Sequence, residues 1–319
     1  VSTNAGGVAA FRHGTMRERV LGLEAVLADG RILGELGRVR KRNEGLAVER
    51  LLIGAEGTLG VITRVALALV AADGPVATAL VALDSLEAGT KLADRAQAGR
   101  AATPTAIEVM SGSHAAAVCR ALALDDVAPL AAAPYLVLLE LAAGDAASAE
   151  AALIDVLGQA IEAGLVRDAL VAQNESQRLM MWRVREDWAI DRERPGGLWY
   201  DVSVPLSAIS GYVARLGRRL AAHDPSLALV IIGHLADGNL HVTVNAAEPI
   251  TARYEEIAPL VTEDLLELGG SFSAEHGIGL EKKATLARLA GAPKQALMRG
   301  LKALYDPHGI LNPGKVIPD

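Results

Sequence analysis

The sequence predicts an α+β protein in which an antiparallel sheet is covered by helices, and three observations carry that expectation. Short apolar or alternating runs at 106–110, 135–142, 198–204, 227–235 and 240–245 read as strands. Between and after them, at about 145–163, 175–192, 206–221 and 251–268, apolar residues recur at helical spacing. Two Asp-Gly pairs, Asp29-Gly30 and Asp237-Gly238, sit between apolar runs and mark β-hairpins, which join antiparallel strands. Layering places the helices on one face of the sheet.

Taken in order, residues 20–33 alternate about Asp29-Gly30 as the first hairpin. Gly54 to Thr63 is glycine-rich and becomes strand-like through Leu69. A break at Ala71 to Pro75 precedes a strand over Val76 to Leu83, after which Ser85 caps an alanine-rich helix running to about Gly99. The last helix, about 285–304, stops at Asp306-Pro307 and leads into Asn312-Pro313-Gly314-Lys315. Three parts are expected: 1–72, 73–284 and 285–319.

With 319 residues, 51% hydrophobic and only 3% aromatic, the chain can bury cores for two domains. A formal charge of -7 gives no electrostatic footprint for nucleic acid, which is set aside as a partner. Cys119 is the single cysteine, so no internal disulfide or cysteine-built zinc ribbon can form; a reducing, cytoplasmic location is expected, with peripheral membrane association left open. The longest apolar stretch, Pro129 to Gly144, is interrupted by Pro134 and Glu140 and is too short to span a bilayer. The chain opens at Val1 without a leader pattern and reads as the middle of a longer protein.

The second hairpin carries the most chemistry. Folding it about Ala236 to Asn239 sets His234 opposite His241, within roughly 5 Å at Cβ, near enough for two imidazoles to share a divalent ion. Glu275, in Ala274-Glu275-His276-Gly277-Ile278-Gly279, offers a third, oxygen ligand. Two imidazoles and a carboxylate suit Zn²⁺, with Mn²⁺ or Fe²⁺ as alternatives.

Several ordered motifs together resemble the FAD-linked D-2-hydroxyacid dehydrogenases of the vanillyl-alcohol-oxidase-like flavoproteins, the group of D-lactate and D-2-hydroxyglutarate dehydrogenases and the glycolate oxidase flavin subunit. They are Ser2 to Gly7, Arg12-His13-Gly14-Thr15, Gly54 to Thr63, Asp201-Val202-Ser203-Val204-Pro205, the two histidine segments and Asp306 to Val316. The resemblance implies that 1–72 is the second half of an FAD-binding domain. It also implies that 73–284 is an antiparallel-sheet cap, or substrate, domain with the metal site, and that 285–319 is a helical return to the flavin.

On that resemblance, Asn4, Gly6, Gly7, Gly54, Gly57, Thr58, Gly60, Ile62 and Asn312 are expected beside FAD. Glycines there let backbone amides approach a phosphate or ring. Arg185 is expected to grip the substrate carboxylate bidentately, and His276 to remove the hydroxyl proton as hydride passes to flavin N5. His234, His241 and Glu275 would hold the metal as a Lewis acid. The implied partners are a small 2-hydroxyacid and an electron acceptor such as an electron-transfer flavoprotein, a quinone or a cytochrome; a homodimer is left open.

Departures from the family pattern weigh on substrate choice. Trp199 stands two residues before Asp201, where relatives acting on dicarboxylates often carry lysine; Thr243 and Ala189 also depart from the common residues. D-2-hydroxyglutarate is therefore disfavoured, and Trp199 would suit an apolar or aromatic substituent if it faces the pocket. Two rivals are a metal-free flavin alcohol oxidase of the same superfamily and a non-catalytic metal-binding or subunit module.

Overall fold

In the computed structural model, which describes residues 1–318, the chain forms two compact units, Val1–Ala71 with Ser273–Asp319, and Ala72–Phe272. The segment 273–284, expected with the substrate domain, groups instead with the first unit. Its backbone is held there: Glu56 accepts from the amides of Ile278 and Gly279 at 2.7 and 2.8 Å.

The first unit opens with two single-turn helices, α1 (Ala10–His13) and α2 (Met16–Arg19). Three strands follow, β1 (Val20–Val26), β2 (Ile32–Leu33) and β3 (Val61–Leu67), in the antiparallel order β2-β1-β3. The expected first hairpin is present, with Val26 paired to Ile32 and Gly30 at φ 83° in the turn. Val20, Leu23, Ala25, Leu52, Ile53 and Leu59 form its core. Burying each of the larger aliphatics contributes roughly 1.5–3 kcal/mol.

The second unit is built on a seven-stranded antiparallel sheet. Its strands are β4 (Val76–Leu83), β5 (Thr103–Ser111), β6 (Tyr135–Ala142), β7 (Asp168–Val171), β8 (Leu198–Ser203), β9 (Ala228–His234) and β10 (Asn239–Asn245), ordered β7-β4-β6-β5-β9-β10-β8. The central strands β4 and β6 are almost wholly buried, which is why their sequences run apolar without alternation. The helices are α3 (Leu86–Ala98), α4 (Gly112–Leu122), α5 (Ala146–Glu162), α6 (Glu175–Glu186), α7 (Ala189–Glu193), α8 (Ile209–His223) and α9 (Tyr254–Thr262). Ser85, Asp145 and Asn174 cap α3, α5 and α6 by accepting from the amides of Ala88, Ser148 and Gln177.

The α+β class and antiparallel sheet stand as expected, but helices cover both faces. Gly89 of α3 lies against Leu83 and Val137, whereas α6 reaches the opposite face, where Trp182 and Arg185 meet Glu140 and Glu108. The helix expected over 175–192 breaks at Asp187, which is extended, and Trp188, whose ring packs on Trp199 at 4.5 Å. In the C-terminal part of the first unit, α10 (Lys283–Leu289) and α11 (Ala292–Tyr305) replace one expected helix. The break falls at Ala290-Gly291, and Pro293 sits in the first turn of α11, where its missing N–H has no intrahelical partner to lose. Among the described residues no helix is long and apolar enough to cross a membrane.

One buried histidine makes this fold acid-sensitive. His114 of α4 bonds through Nε2 to the Val184 carbonyl of α6, and its Nδ1 has no partner. Burial pushes its pKa down from 6.5 to about 4, against the opposing pull of the carbonyl. A folded-state pKa below the unfolded one gives stability that is full above pH 6.5 and lost as pH falls toward 4, on the order of 3 kcal/mol. Urea midpoints measured from pH 7 to 4.5 should therefore fall, and fall less in His114→Gln; parallel profiles would contradict the assignment.

Candidate active site

The β9–β10 hairpin aligns its histidines differently from the expected register. His234 stands opposite Asn239, and His241 opposite Ile232. The turn occupies Leu235–Gly238, with Gly238 at φ 79° closing it, so Asn239 enters the strand. There its amide donates to Asp201 Oδ1 at 2.8 Å and to the Val202 carbonyl at 3.0 Å. The pairing shifts by two residues, an even number, so both imidazoles keep the same face. They meet diagonally, with ring centroids 5.3 Å apart and planes near perpendicular.

Each ring turns Nδ1 toward a carboxylate. His234 Nδ1 is 2.9 Å from Glu108 Oε1, and His241 Nδ1 is 3.8 Å from Asp201 Oδ1. At His234 a carboxylate within hydrogen-bonding distance of Nδ1 favours the proton there and leaves Nε2 as the lone-pair nitrogen, the tautomer that ligates a divalent ion; at His241 the carboxylate is beyond hydrogen-bonding distance and contributes charge alone. The donor chemistry of the pair therefore fits a metal.

Arg185 lies on α6 over the same sheet face. Its Nε and Nη2 donate to Glu108 Oε2 at 3.0 and 2.9 Å, with Arg185 and Glu108 side chains only 11% and 1% exposed. Glu108 thus accepts from Arg185 on one oxygen and meets His234 on the other. The Nε edge of the guanidinium is occupied, and its Nη1 end has no protein partner among the described residues. Trp199 pairs with Thr243 across β8 and β10, two positions from the Asp201–His241 pair and therefore on the histidine face.

The flavin-related residues gather in the first unit. The amides of Gly54 and Glu56 donate to the carbonyls of Val1 and Ser2, tying the opening segment to the glycine-rich one. Asn4 Oδ1 accepts from the Arg17 amide, Thr58 Oγ1 donates to the Ala55 carbonyl, and Asn312 Nδ2 donates to the Glu56 carbonyl. Gly7, at φ 75°, would give an added Cβ no neighbour nearer than Glu275 Oε2 at 3.9 Å, so its backbone is open to a close-lying group. At Gly57, also left-handed, a Cβ would meet Asn312 Nδ2 at 2.9 Å. At Gly6 an added Cβ would meet Ala10, and at Gly60 Leu52, each at 2.7 Å, so close packing alone already requires glycine at these two positions. Gly54 faces Arg17 and Asn4; Ile62 is half-buried on β3 against the unit's core.

Glu275 and His276 also belong to this unit. Glu275 Oε2 accepts from the Gly7 amide at 2.7 Å, and its Oε1 lies 3.8 Å from His276 Nε2. The His276 side chain is 64% exposed. Glu56, φ 50°, grips the next turn through Ile278 and Gly279. Glu56 and Glu108 are the residues that sequence reasoning passed over. Glu108 announced itself as a carboxylate inside the apolar run Ala106 to Met110, since a buried charge demands partners.

Comparison with known proteins agrees with the expected resemblance. The family described as FAD linked oxidases, C-terminal domain, matches residues 74–316. A D-2-hydroxyglutarate dehydrogenase of Xanthomonas citri pv. viticola is 36% identical over 324 residues, covering 99% of this chain and 67% of the relative. The mitochondrial D-2-hydroxyglutarate dehydrogenase of Bos taurus is 37% identical over 320 residues, covering 100% of this chain but 58% of its own length. The chain thus spans roughly three-fifths of the length of such relatives. A solved structure of p-cresol methylhydroxylase superposes with a TM-score of 0.72 at 15% identity, over 100% of this chain and 68% of that one, a likeness of fold.

Proposed function

This chain belongs to the FAD linked oxidases, and from that premise we propose that the whole protein oxidises a D-2-hydroxyacid to the 2-oxoacid with FAD and a divalent metal, Zn²⁺ in the first instance. The observation that carries the reading is the histidine pair, two imidazoles with centroids 5.3 Å apart, His234 hydrogen-bonded at Nδ1 to Glu108 and His241 with Asp201 3.8 Å from its Nδ1. A flavin alcohol oxidation without metal does not require two imidazoles side by side, and the named relatives are D-2-hydroxyglutarate dehydrogenases.

FAD, when bound, supplies the hydride acceptor, and the metal supplies Lewis acidity that lowers the hydroxyl pKa. His234, His241 and Glu275 are the proposed ligands. The Nη1 end of Arg185 holds the substrate carboxylate, while Glu108 fixes the guanidinium plane from behind. His276 accepts the hydroxyl proton on its imidazole, the side chain whose ordinary pKa lies near neutrality. Asn4, Gly6, Gly7, Gly54, Gly57, Thr58, Gly60, Ile62 and Asn312 remain the proposed neighbours of FAD, with the open backbone of Gly7 the best supported among them. The electrons then leave to an electron-transfer flavoprotein, a quinone or a cytochrome.

For the substituent on the α-carbon, the position of Trp199 on the histidine face supports an apolar or aromatic group. The test is anaerobic titration of the whole, yellow protein with paired enantiomers of an aromatic 2-hydroxyacid and of 2-hydroxyglutarate. Bleaching by the D form, faster for the aromatic acid, is the expected outcome. Bleaching by D-2-hydroxyglutarate alone would remove Trp199 as a selector, and no bleaching by any D-2-hydroxyacid would remove the activity.

A further inference from the structure

We propose that Glu108 is a positioning residue that ties the metal-facing histidine to the arginine helix, setting metal affinity through His234. The inference rests on the metal reading above and extends it to a side chain outside the proposed ligand set.

The geometry is specific at both ends of the carboxylate. On the sheet, Glu108 of β5 is the direct register partner of His234 of β9, so the backbone itself holds the two side chains on one face at neighbour distance. Oε1 lies 2.9 Å from His234 Nδ1, while Oε2 accepts from Arg185 Nε and Nη2 at 3.0 and 2.9 Å. With a side chain 1% exposed, the anion is rotationally fixed by the arginine before any ion arrives. A fixed acceptor at Nδ1 orients the imidazole, selects the Nε2 lone pair and makes the ligand more basic.

A second carboxylate on the same face serves as an internal control. Glu140 of β6 is also buried, and it accepts from Arg178, Trp182 and Thr78 on Oε2 and from Thr105 on Oε1, with no histidine among its partners. Arg178 and Arg185 are seven residues apart on α6, two helical turns, so each secures the same helix to the sheet through its own glutamate. If Glu108 only anchored α6, the two glutamates would be equivalent in every readout.

The experiment measures Zn²⁺ affinity by competition with a chelator, together with thermal unfolding of the metal-free protein, for wild type, Glu108→Gln, Glu140→Gln and His234→Ala. Glutamine is isosteric but neutral, and one of its two ends presents a donor where an acceptor is needed. Glu108→Gln should weaken Zn²⁺ binding 10–100-fold, and the stabilisation that Zn²⁺ gives to unfolding should shrink accordingly. Glu140→Gln should bind Zn²⁺ as wild type does even where its metal-free unfolding temperature drops. Equal affinity in Glu108→Gln and wild type, or equal loss in both glutamine variants, would overturn the positioning role while leaving the metal site intact. Wild type binding no more tightly than His234→Ala would overturn the metal reading and this inference with it.

Discussion

Replacing His276 by glutamine lowers kcat of the whole protein by about 10²–10⁴-fold, the usual contribution of a positioned general base, and leaves bound flavin and metal unchanged. The expectation follows from the exposure of the side chain. It is 64% exposed, and Glu275 Oε1 stands 3.8 Å from its Nε2, outside hydrogen-bonding distance. Removing it opens no cavity. The conformation of its loop is secured elsewhere, by Glu56 on the amides of Ile278 and Gly279 and by Ser273 Oγ on the Gly277 carbonyl. Because the proton moves only in the transition state, kcat and kcat/KM should fall together while substrate binding holds. The measurement is the rate of flavin reduction after rapid mixing with saturating D-2-hydroxyacid. A rise in KM with an unchanged reduction rate would reassign His276 to substrate orientation.

How much of this was legible in the sequence depends on how local the signal was. The strands β4 and β6 could be read almost to the residue, because Val76 to Leu83 and Tyr135 to Ala142 are predominantly apolar runs, each with one polar residue, Thr78 and Glu140, and bounded by turn residues. The cap at Ser85 was equally local. Breaks that accompany tertiary packing were not legible: helical periodicity continues through Trp188, whereas the helix stops at Asp187 and the Trp188 ring packs at a tilt against Trp199. The four-residue edge strand β7 lies below the length at which alternation can be recognised. In the hairpin, the face of both histidines was readable from period two, but the register depended on Asn239, whose amide is claimed by Asp201 on a neighbouring strand distant in sequence. The same limit hid Glu108. Its position in an apolar strand signalled a buried charge, but its partners, Arg185 and His234, are supplied by a helix and a strand 77 and 126 residues away.

Exchange of both hairpin histidines for alanine has the largest expected effect. His234 and His241 share a sheet face with rings 5.3 Å apart, and neither ring is needed to pair the strands, whose ladder bonds are backbone bonds. The hairpin should therefore survive, flanked by β5 and β8, while the nitrogen ligands disappear. Lewis-acid assistance is worth several kcal/mol at the transition state, so flavin reduction by a D-2-hydroxyacid should slow by about 10³-fold or more. Rate alone does not identify the cause, since a displaced substrate would also react slowly. Metal content does. Elemental analysis of the purified whole protein, beside the flavin absorbance of the same sample, should give near-stoichiometric divalent metal with FAD in the wild type, and FAD without metal in His234→Ala/His241→Ala. Bound FAD with no metal in either protein, and equal bleaching of both by the hydroxyacid, would contradict a metal-assisted oxidation.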